Sequence, residues 1–358
     1  MYRSFFVISY LCSMLDYIVV GLGLAGISFC ETLRKNSKTF ICYNDNSQQA
    51  SLVAGGLYNP VILKRFTLSW KVTEQLEIAN RFYREIEENL DISFDQTLPV
   101  LRRFHGTEEQ NLWFEAADKE NLKSYLSLTL VPNENTSINA PLGYGRVLRT
   151  GRIDTKTFIE GYTQYLLNKD LIKKESFLHE ELEFKDGYVA YKGFKAKHIV
   201  FAEGYGLAKN PFFNTLPLQG SKGEYLIIKS KELKETNAIK SSIFIIPLGS
   251  DLYKVGANYN RTDKSNDATD TAKKELVEKL EKVLTCDYEI VGHVAGVRPT
   301  VKDRRPLVGR HPLHPRLHIL NGFGSHGILI GPWAAMGLYD YIENGTPLNK
   351  EMDIQRFH

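Results

Sequence analysis

Tyr17-Ile-Val-Val20 runs directly into Gly21-Leu-Gly-Leu-Ala-Gly26, and a stretch with helical apolar spacing follows from Ile27 to Lys35. The opening residues are typical of a buried β-strand, because β-branched and aromatic side chains pack well on a pleated surface. Thr39-Phe-Ile-Cys-Tyr43 has the same character. A strand, a glycine turn, a helix and a second strand within roughly 30 residues predict the first βαβ unit of an α/β fold.

The glycine spacing of this turn also predicts a ligand. Gly21 allows a tight turn, Gly23 lets a pyrophosphate approach the backbone, and Gly26 lets the helix pack against the strand. The positive N-terminal end of the helix then faces the phosphate groups. An acidic residue normally ends the second strand and binds a ribose hydroxyl, but here Asn44 occupies that place and Asp45 follows it. We therefore expect a dinucleotide, with Asn44 and Asp45 at its ribose.

A second glycine-rich region lies near the C-terminal end of the chain. Arg298 stands within Ala295-Gly-Val-Arg-Pro299, and Gly322-Phe-Gly-Ser-His-Gly327 follows. A guanidinium held in a fixed place can bind a carboxylate through two parallel hydrogen bonds. The alternative is a structural ion pair with Asp303 or a nearby glutamate. Pro332 suits the first turn of a helix, which predicts a helix N-terminus near Pro332. We expect both glycine regions to meet around one ligand.

Composition and charge favour an ordinary globular protein. The 45 basic and 42 acidic residues give a net charge of +3, which is too even to favour a nucleic-acid partner by itself. The four cysteines form no C-x-x-C pair and no metal spacing with histidine, so we expect no metal site. Buried free thiols in a reducing compartment are the simplest interpretation, and this predicts a cytoplasmic protein. The cysteines are Cys12, Cys30, Cys42 and Cys286.

The N-terminal segment is strongly apolar, since Asp16 is the only charged residue between Ser4 and Cys30. Asp16 divides the segment into runs shorter than the ~18 residues that a membrane span needs. Met14 stands just before the first predicted strand. We therefore interpret residues 1–13 as an upstream extension of the true start, or as a disordered segment.

Several pieces of the chain resemble the D-amino-acid-oxidase-type family of FAD-dependent oxidoreductases, and in particular its glycine oxidase-like members. They are also similar to the flavin domain of the bifunctional enzyme that modifies the wobble uridine of tRNA. The matching pieces occur in family order and extend over nearly the whole chain from residue 14. They are residues 19–26, Ala50-Ser51 with Ala54-Gly-Gly56, residues 199–204, Leu218-Gln-Gly220 and residues 295–331.

The resemblance implies a Rossmann-like FAD-binding domain interleaved with a second, α+β substrate domain on a mixed sheet. We assign residues 14–75, 145–215 and 290–358 to the first domain and residues 76–144 and 216–289 to the second. The FAD is expected to be non-covalent, because no cysteine stands where a covalent flavin bond would need one.

The resemblance also implies roles for individual residues. Arg298 would bind the substrate carboxylate. Tyr253 and Tyr259 are both candidates for a hydroxyl near the substrate, and His326 is a candidate to tune the flavin ring or contact the substrate. The flavin and its phosphates would be bordered by a set of small residues in both glycine regions. These are Ser51, Gly55, Gly56, Gly204, Gly322, Gly324, Ser325 and Gly327.

The implied activity is oxidation of the C–N bond of an amino acid or secondary amine, by hydride transfer to flavin N5, with later hydrolysis of the imine. Dioxygen or another acceptor would then reoxidise the flavin. Three alternatives stay open: action on a carboxymethylaminomethyl group of tRNA, a non-catalytic flavin-binding protein, and an NAD-dependent dehydrogenase. The last leaves the C-terminal glycine turn unexplained.

Overall fold

The computed structural model describes residues 14–357, so the expectations for residues 1–13 lie outside the described part of the chain. In chain order the strands are β1 Leu15–Val20, β2 Phe40–Tyr43, β3 Leu57–Tyr58, β4 Val61–Ile62, β5 Thr67–Leu68, β6 Asp95–Thr97, β7 Val100–Arg103, β8 Leu126–Val131, β9 Tyr144–Val147, β10 Gly151–Ile153, β11 Ile172–Lys173, β12 Glu183–Lys185, β13 Tyr188–Tyr191, β14 Phe194–Phe201, β15 Ser221–Lys229, β16 Ala238–Lys240, β17 Phe244–Gly249, β18 Leu252–Gly256, β19 Glu289–Arg298, β20 Leu307–Arg310 and β21 Leu317–Asn321.

The α-helices are α1 Leu24–Lys35, α2 Val72–Leu90, α3 Thr107–Ala117, α4 Thr155–Asn168, α5 Asp270–Leu280 and α6 Gly327–Asn344. Short 3₁₀ helices span His179–Glu181, Gly204–Lys209 and Ile354–Phe357. No helix in the described range combines the length and apolar character that crossing a bilayer requires.

The first sheet confirms the predicted βαβ unit and the α/β fold class. Its parallel strands lie in the order β11-β2-β1-β14-β21, with β1 in the middle. Val19 of β1 pairs with Cys42 on one side and Val200 on the other, and all three residues are fully buried. Because the strands are parallel, their carboxyl ends share one edge, where the Gly21 turn begins.

Helix α6 begins five residues before Pro332, so the prediction that this helix starts near Pro332 was wrong. Proline lacks the N–H that would bond to the carbonyl four residues earlier. That carbonyl belongs to Ile328, and the hydroxyl of Tyr83 donates a hydrogen bond of 2.8 Å to it. The side chain of Tyr83, on α2, therefore compensates for the proline inside the helix.

The second sheet has eight strands in the order β19-β15-β18-β17-β16-β7-β9-β8, and only β16 and β7 pair in parallel. This mixed sheet agrees with the expected second domain, but two strands fall outside the expected boundaries. Strands β9 and β19 pair within this sheet, although most of their residues were assigned to the first domain. Helix α2, assigned to the second domain, packs against α6.

Candidate functional site

A cavity of about 870 Å³ lies between the two sheets. One wall is formed by the segments that follow β1, β2 and β14, at the carboxyl edge of the parallel strands. The opposite wall is formed by residues of β15, β17 and β19 in the second sheet. The crevice outside the carboxyl ends of parallel strands is where open α/β sheets bind ligands, and the volume is typical of a cofactor site.

The first glycine turn is shaped for close approach of a ligand to the backbone. Gly21 has a φ of +96°, and a Cβ there would lie 2.5 Å from the carbonyl oxygen of Ala202. At Gly23 a Cβ would lie 3.0 Å from the Ser51 Oγ. The same Oγ accepts a hydrogen bond of 3.2 Å from the backbone N–H of Leu24. Ser51 therefore packs against the N-terminal end of α1, where phosphate is expected.

Asn44 and Asp45 both line the cavity beyond β2, as the sequence predicts for the ribose end. The Asn44 Oδ1 accepts a hydrogen bond of 3.3 Å from the N–H of Leu22. Burial opposes ionisation of Asp45, but hydrogen bonds from Ser47 and Ser176 outweigh it and lower the pKa of Asp45. The side-chain amide of Asn44 thus stabilises the glycine turn through a hydrogen bond, and Asp45 places a negative charge beside Asn44 at the cavity.

The second glycine turn lies beside the start of α6. The N–H of Gly324 donates a hydrogen bond of 2.9 Å to the carbonyl oxygen of Pro299, so the turn is fixed against the segment that carries Arg298. The helix starts at Gly327, within this turn, and its positive end is directed at the cavity edge. Desolvation in the confined site, followed by the nearby Arg304, lowers the pKa of His326.

Arg298 has an unusual environment for a guanidinium. Its side chain lies over the ring of Tyr259, with 4.7 Å from Cζ to the ring centroid. The guanidinium also lies against the backbone of Gly223, where an added Cβ would be only 1.8 Å from Nη2. Its Nη1 is buried and has no hydrogen-bond partner among the described residues. Asp303 is instead bound by Arg356, at 2.8 Å, so the alternative ion pair with Arg298 is not formed.

Tyr253 lies on the wrong face of the second sheet for the role predicted for it. It is 4% exposed, packs in the apolar cluster beneath α5, and accepts a hydrogen bond of 3.2 Å from the N–H of Glu235. Side chains alternate between the two faces of a strand, so its neighbour Lys254 points toward the cavity side. The prediction for Tyr253 is therefore corrected, and Lys254 is a residue that the sequence reasoning missed.

Lys254 supports the Gly55-Gly56 segment of the cavity wall. Its Nζ donates hydrogen bonds to the carbonyl oxygens of Ala54, at 2.9 Å, and Val53, at 3.4 Å. It also lies over the Tyr225 ring, 5.7 Å from the centroid. Burial, with a smaller contribution from Arg152, lowers the pKa of Lys254 to about 8.

Most of the predicted site residues line this one cavity. Gly26 and Gly322 do not, because each packs against protein: a Cβ on Gly26 would lie 1.9 Å from the Gly21 oxygen, and one on Gly322 would lie 2.7 Å from Val301. The predicted residues that line the cavity are Gly21, Gly23, Asn44, Asp45, Ser51, Gly55, Gly56, Gly204, Arg298, Gly324, Ser325, His326 and Gly327.

The wall of the cavity that the second sheet forms contains aromatic and apolar residues that the sequence reasoning did not assign. Tyr225, Phe244 and Ile246 line it from neighbouring strands of the second sheet. The signal that could have found Tyr225 is its spacing of two from Gly223, which places both residues on the same face of β15.

The residues present fit FAD. The glycine turn leaves room for a pyrophosphate, whereas any side chain at Gly23 would approach Ser51. Asn44 beyond β2 and Arg298 at the end of β19 line the same cavity. These residues would hold the nucleotide along the first sheet. The flavin ring would then lie toward the second glycine turn.

Comparison with known proteins agrees with this geometry. A model of the DAO family, described as FAD-dependent oxidoreductase, matches residues 16–340. The chain belongs to this family. Its cofactor is FAD, and the D-amino-acid-oxidase-type resemblance seen in the sequence is confirmed.

Individual curated relatives share less than 30% identity with this chain. Glycine oxidase of Bacillus subtilis is 28% identical over 170 residues, which are 46% of this chain and 44% of that protein. The tRNA 5-methylaminomethyl-2-thiouridine biosynthesis bifunctional protein MnmC of Shewanella pealeana is 24% identical over 205 residues, 44% of this chain and 31% of that protein. The chain thus spans less than half the length of these curated relatives.

The fold is shared with solved structures over nearly its full length. The crystal structure of glycine oxidase from Geobacillus kaustophilus has a TM-score of 0.78 at 16% identity, and the match extends over 96% of this chain and 98% of that one. At this identity the likeness concerns the fold, and it confirms the α/β architecture.

Proposed function

We propose that the protein oxidises the C–N bond of an amino acid or secondary amine whose carboxylate binds Arg298. The observation that carries this proposal is the buried Nη1 of Arg298, which has no partner among the described residues and belongs to a side chain lining the FAD cavity. An unpaired buried polar group is costly. A substrate carboxylate would satisfy it through charge-assisted hydrogen bonds.

The surrounding residues suit this role. Bound FAD would accept a hydride at N5 from the carbon that carries the amine, and water would then hydrolyse the resulting imine. Arg298 would orient the substrate, and Tyr225, Phe244 and Ile246 would keep its reacting carbon away from bulk water. Desolvation and the nearby Arg304 lower the pKa of His326, which disfavours a positive charge on this imidazole beside an amine.

The test is anaerobic reduction of the bound FAD. Glycine, sarcosine, D- and L-amino acids are each mixed with the holoenzyme, and loss of the flavin's visible absorption is followed. We expect at least one carboxylate-bearing amine to bleach the flavin, whereas the same amine with its carboxylate converted to an amide should do so far more slowly. Equal rates for acid and amide would contradict the role of Arg298. Dioxygen and artificial acceptors, added afterwards, identify the reoxidant.

A second candidate substrate is the carboxymethylaminomethyl group of tRNA, which also presents an amine near a carboxylate. The observation that favours it is the similarity to the tRNA biosynthesis protein of Shewanella pealeana. In addition, the exposed Arg304 lies near His326 at the cavity and could meet a phosphate there. Binding of tRNA that weakens steeply with salt, together with flavin bleaching by tRNA bearing this group, would support it.

A further inference from the structure

The position of the Arg298 guanidinium depends on a residue that carries no side chain. Arg298 lies at the end of β19, directly opposite Ser221 of β15, and Gly223 is two residues further along. Residues two apart on a strand share a face, so Gly223 lies on the cavity face beside Arg298. A Cβ at position 223 would lie 1.8 Å from Nη2, 2.2 Å from Cζ and 2.4 Å from Nη1 of Arg298. The guanidinium therefore occupies the space that any other residue's side chain would fill.

Tyr259 contacts the same guanidinium. Its ring centroid lies 4.7 Å from Cζ, and 71% of the tyrosine is exposed. A cation over an aromatic ring is attracted to it, although weakly at an exposed site. The guanidinium is thus in contact with both the backbone of β15 and an aromatic ring. Its buried Nη1 is left to bind a partner, since it has none among the described residues.

The loop that carries Tyr259 is itself fixed next to Gly223. Asn260 and Lys222 exchange backbone hydrogen bonds of 2.8 and 2.9 Å. Tyr259 precedes Asn260 and Gly223 follows Lys222, so this pair fixes the two residues close to each other. The side chain of Lys222 is completely buried, and its ammonium pairs with Asp263 in the same loop. Losing Asp263 would remove a close partner from a fully buried ammonium, which is costly, so this contact fixes the loop that carries Tyr259.

We propose that Gly223 and Tyr259 are positioning residues that hold the Arg298 guanidinium edge-on to the cavity, so that it binds a substrate carboxylate in its own plane. This inference rests on the proposed function, because it assumes that Arg298 binds the carboxylate. The proposal explains why β15 has a glycine at position 223, where the side chain of any other residue would form part of the cavity wall. It also restricts the substrate to a planar anion that can accept two parallel hydrogen bonds.

The test uses the holoenzyme and acetate as the probe, with binding followed by the change in the flavin's visible absorption. Gly223→Ala should raise the dissociation constant for acetate by at least about tenfold, because charge-assisted pairs lose most of their energy when misaligned. It should leave FAD content and the affinity for acetamide as in the wild type. Tyr259→Phe, which keeps the ring, should bind acetate more tightly than Tyr259→Leu. Gly106→Ala, where an added Cβ meets no atom within 4 Å, is the control.

A crystal structure of the Gly223→Ala holoenzyme tests the steric argument without any substrate. A guanidinium displaced from the space between residues 223 and 259 would support the positioning role, and an unmoved guanidinium would overturn it. Unchanged acetate affinity in Gly223→Ala would also overturn it. If Arg298→Ala leaves acetate affinity unchanged while the guanidinium of Gly223→Ala is displaced, the proposed function fails and the steric role of Gly223 stands.

Discussion

The ammonium nitrogen of Lys254 lies 2.9 Å from the carbonyl oxygen of Ala54, which joins the second sheet to the segment that leads into Gly55. The half-buried ammonium of Lys254 donates this hydrogen bond to the backbone. Burial lowers the pKa of Lys254 to about 8. Lys254, whose pKa of about 8 is close to neutral pH, therefore links the second sheet to the Ala54 segment of the cavity wall.

The first prediction concerns the effect of this lysine on stability at alkaline pH. Between about pH 8 and the ordinary lysine pKa of 10.5, the unfolded chain holds a proton that the folded protein has released. The contribution of Lys254 to the free energy of unfolding therefore rises with pH across this window, by at most about 3 kcal/mol. In Lys254→Met the free energy of unfolding should no longer show this increase with pH, and the variant should bind FAD less tightly. Urea unfolding at several pH values and FAD titration measure both effects.

The control for this variant is Lys231→Met, since Lys231 is exposed on the surface. It should keep the wild-type dependence of stability on pH. If Lys254→Met shows the same pH profile as the wild type, Lys254 does not titrate in this range.

The second prediction concerns substrate affinity. Arg298→Ala should raise KM for a carboxylate-bearing substrate by well over tenfold, because a desolvated charge pair is worth about 2–5 kcal/mol. FAD should stay bound, and Arg298→Lys should restore little, since an ammonium cannot reproduce the planar fork. Steady-state kinetics and the flavin absorption of the purified variants provide the measurement. Lys302→Ala, at an exposed neighbouring cation, is the control, and unaltered kinetics in Arg298→Ala would remove its role.

The third prediction concerns FAD binding at the first glycine turn. In Gly23→Val the new side chain would start 3.0 Å from the Ser51 Oγ and fill the space needed by the pyrophosphate. The variant should purify folded but colourless, with less than about a tenth of the wild-type flavin. The ratio of visible to ultraviolet absorption measures occupancy, and circular dichroism confirms folding. Gly106→Val is the matched control, and full occupancy in Gly23→Val would contradict the assignment.

The fourth prediction concerns stability in acid. His198 and His318 lie on neighbouring strands of the first sheet, with 3.2 Å between Nδ1 and Nε2. Burial lowers the pKa of both, to about 4 for His198. The unfolded chain therefore binds protons first as the pH falls from about 6.5 to about 4, and stability is lost across that window. Nearby charges modulate the pKa of His198 further: Glu343 and Asp16 raise it, and Arg316 and Lys197 lower it.

Between pH 6.5 and pH 4, His198→Gln should lose roughly 1–3 kcal/mol less of its free energy of unfolding than the wild type loses. Chemical unfolding at intervals of pH measures this difference directly. His314→Gln, at a half-buried histidine outside this pair, should leave the slope as in the wild type. A slope for His198→Gln as steep as that of the wild type would show that the pair does not control acid stability.

Much of the first sheet could be predicted because its information is local. The strand, turn and helix from Tyr17 to Lys35 lie in one continuous segment, and the φ of +96° at Gly21 is what its glycine predicts. The same local reasoning singled out Arg298 as a candidate, because it directly precedes Pro299 and follows Gly296 by two residues. In contrast, the start of α6 was misplaced because the hydroxyl of Tyr83, distant in sequence, binds the carbonyl that Pro332 leaves free.

The choice between Tyr253 and Lys254 could not be made from the sequence. Strand β18 carries Tyr253 and Val255 on its buried face and Leu252 and Lys254 on its half-buried face. Each face therefore has an apolar residue and a residue with a polar group, so the sequence does not indicate which face meets the cavity. Domain boundaries are a related case, because they depend on pairing between strands that other segments separate in the chain: β19 pairs with β15, and β9 pairs with β7.

By itself, then, the sequence determined the βαβ unit and the tight turn at Gly21, and it singled out Arg298 as a candidate, since each depends on neighbours within a short segment. Only the tertiary structure decided which faces of the second sheet line the cavity, that Lys254 supports its wall, and that Gly223 and Tyr259 both contact the guanidinium. Those contacts join residues far apart in the chain, and their geometry depends on the register and packing of whole sheets.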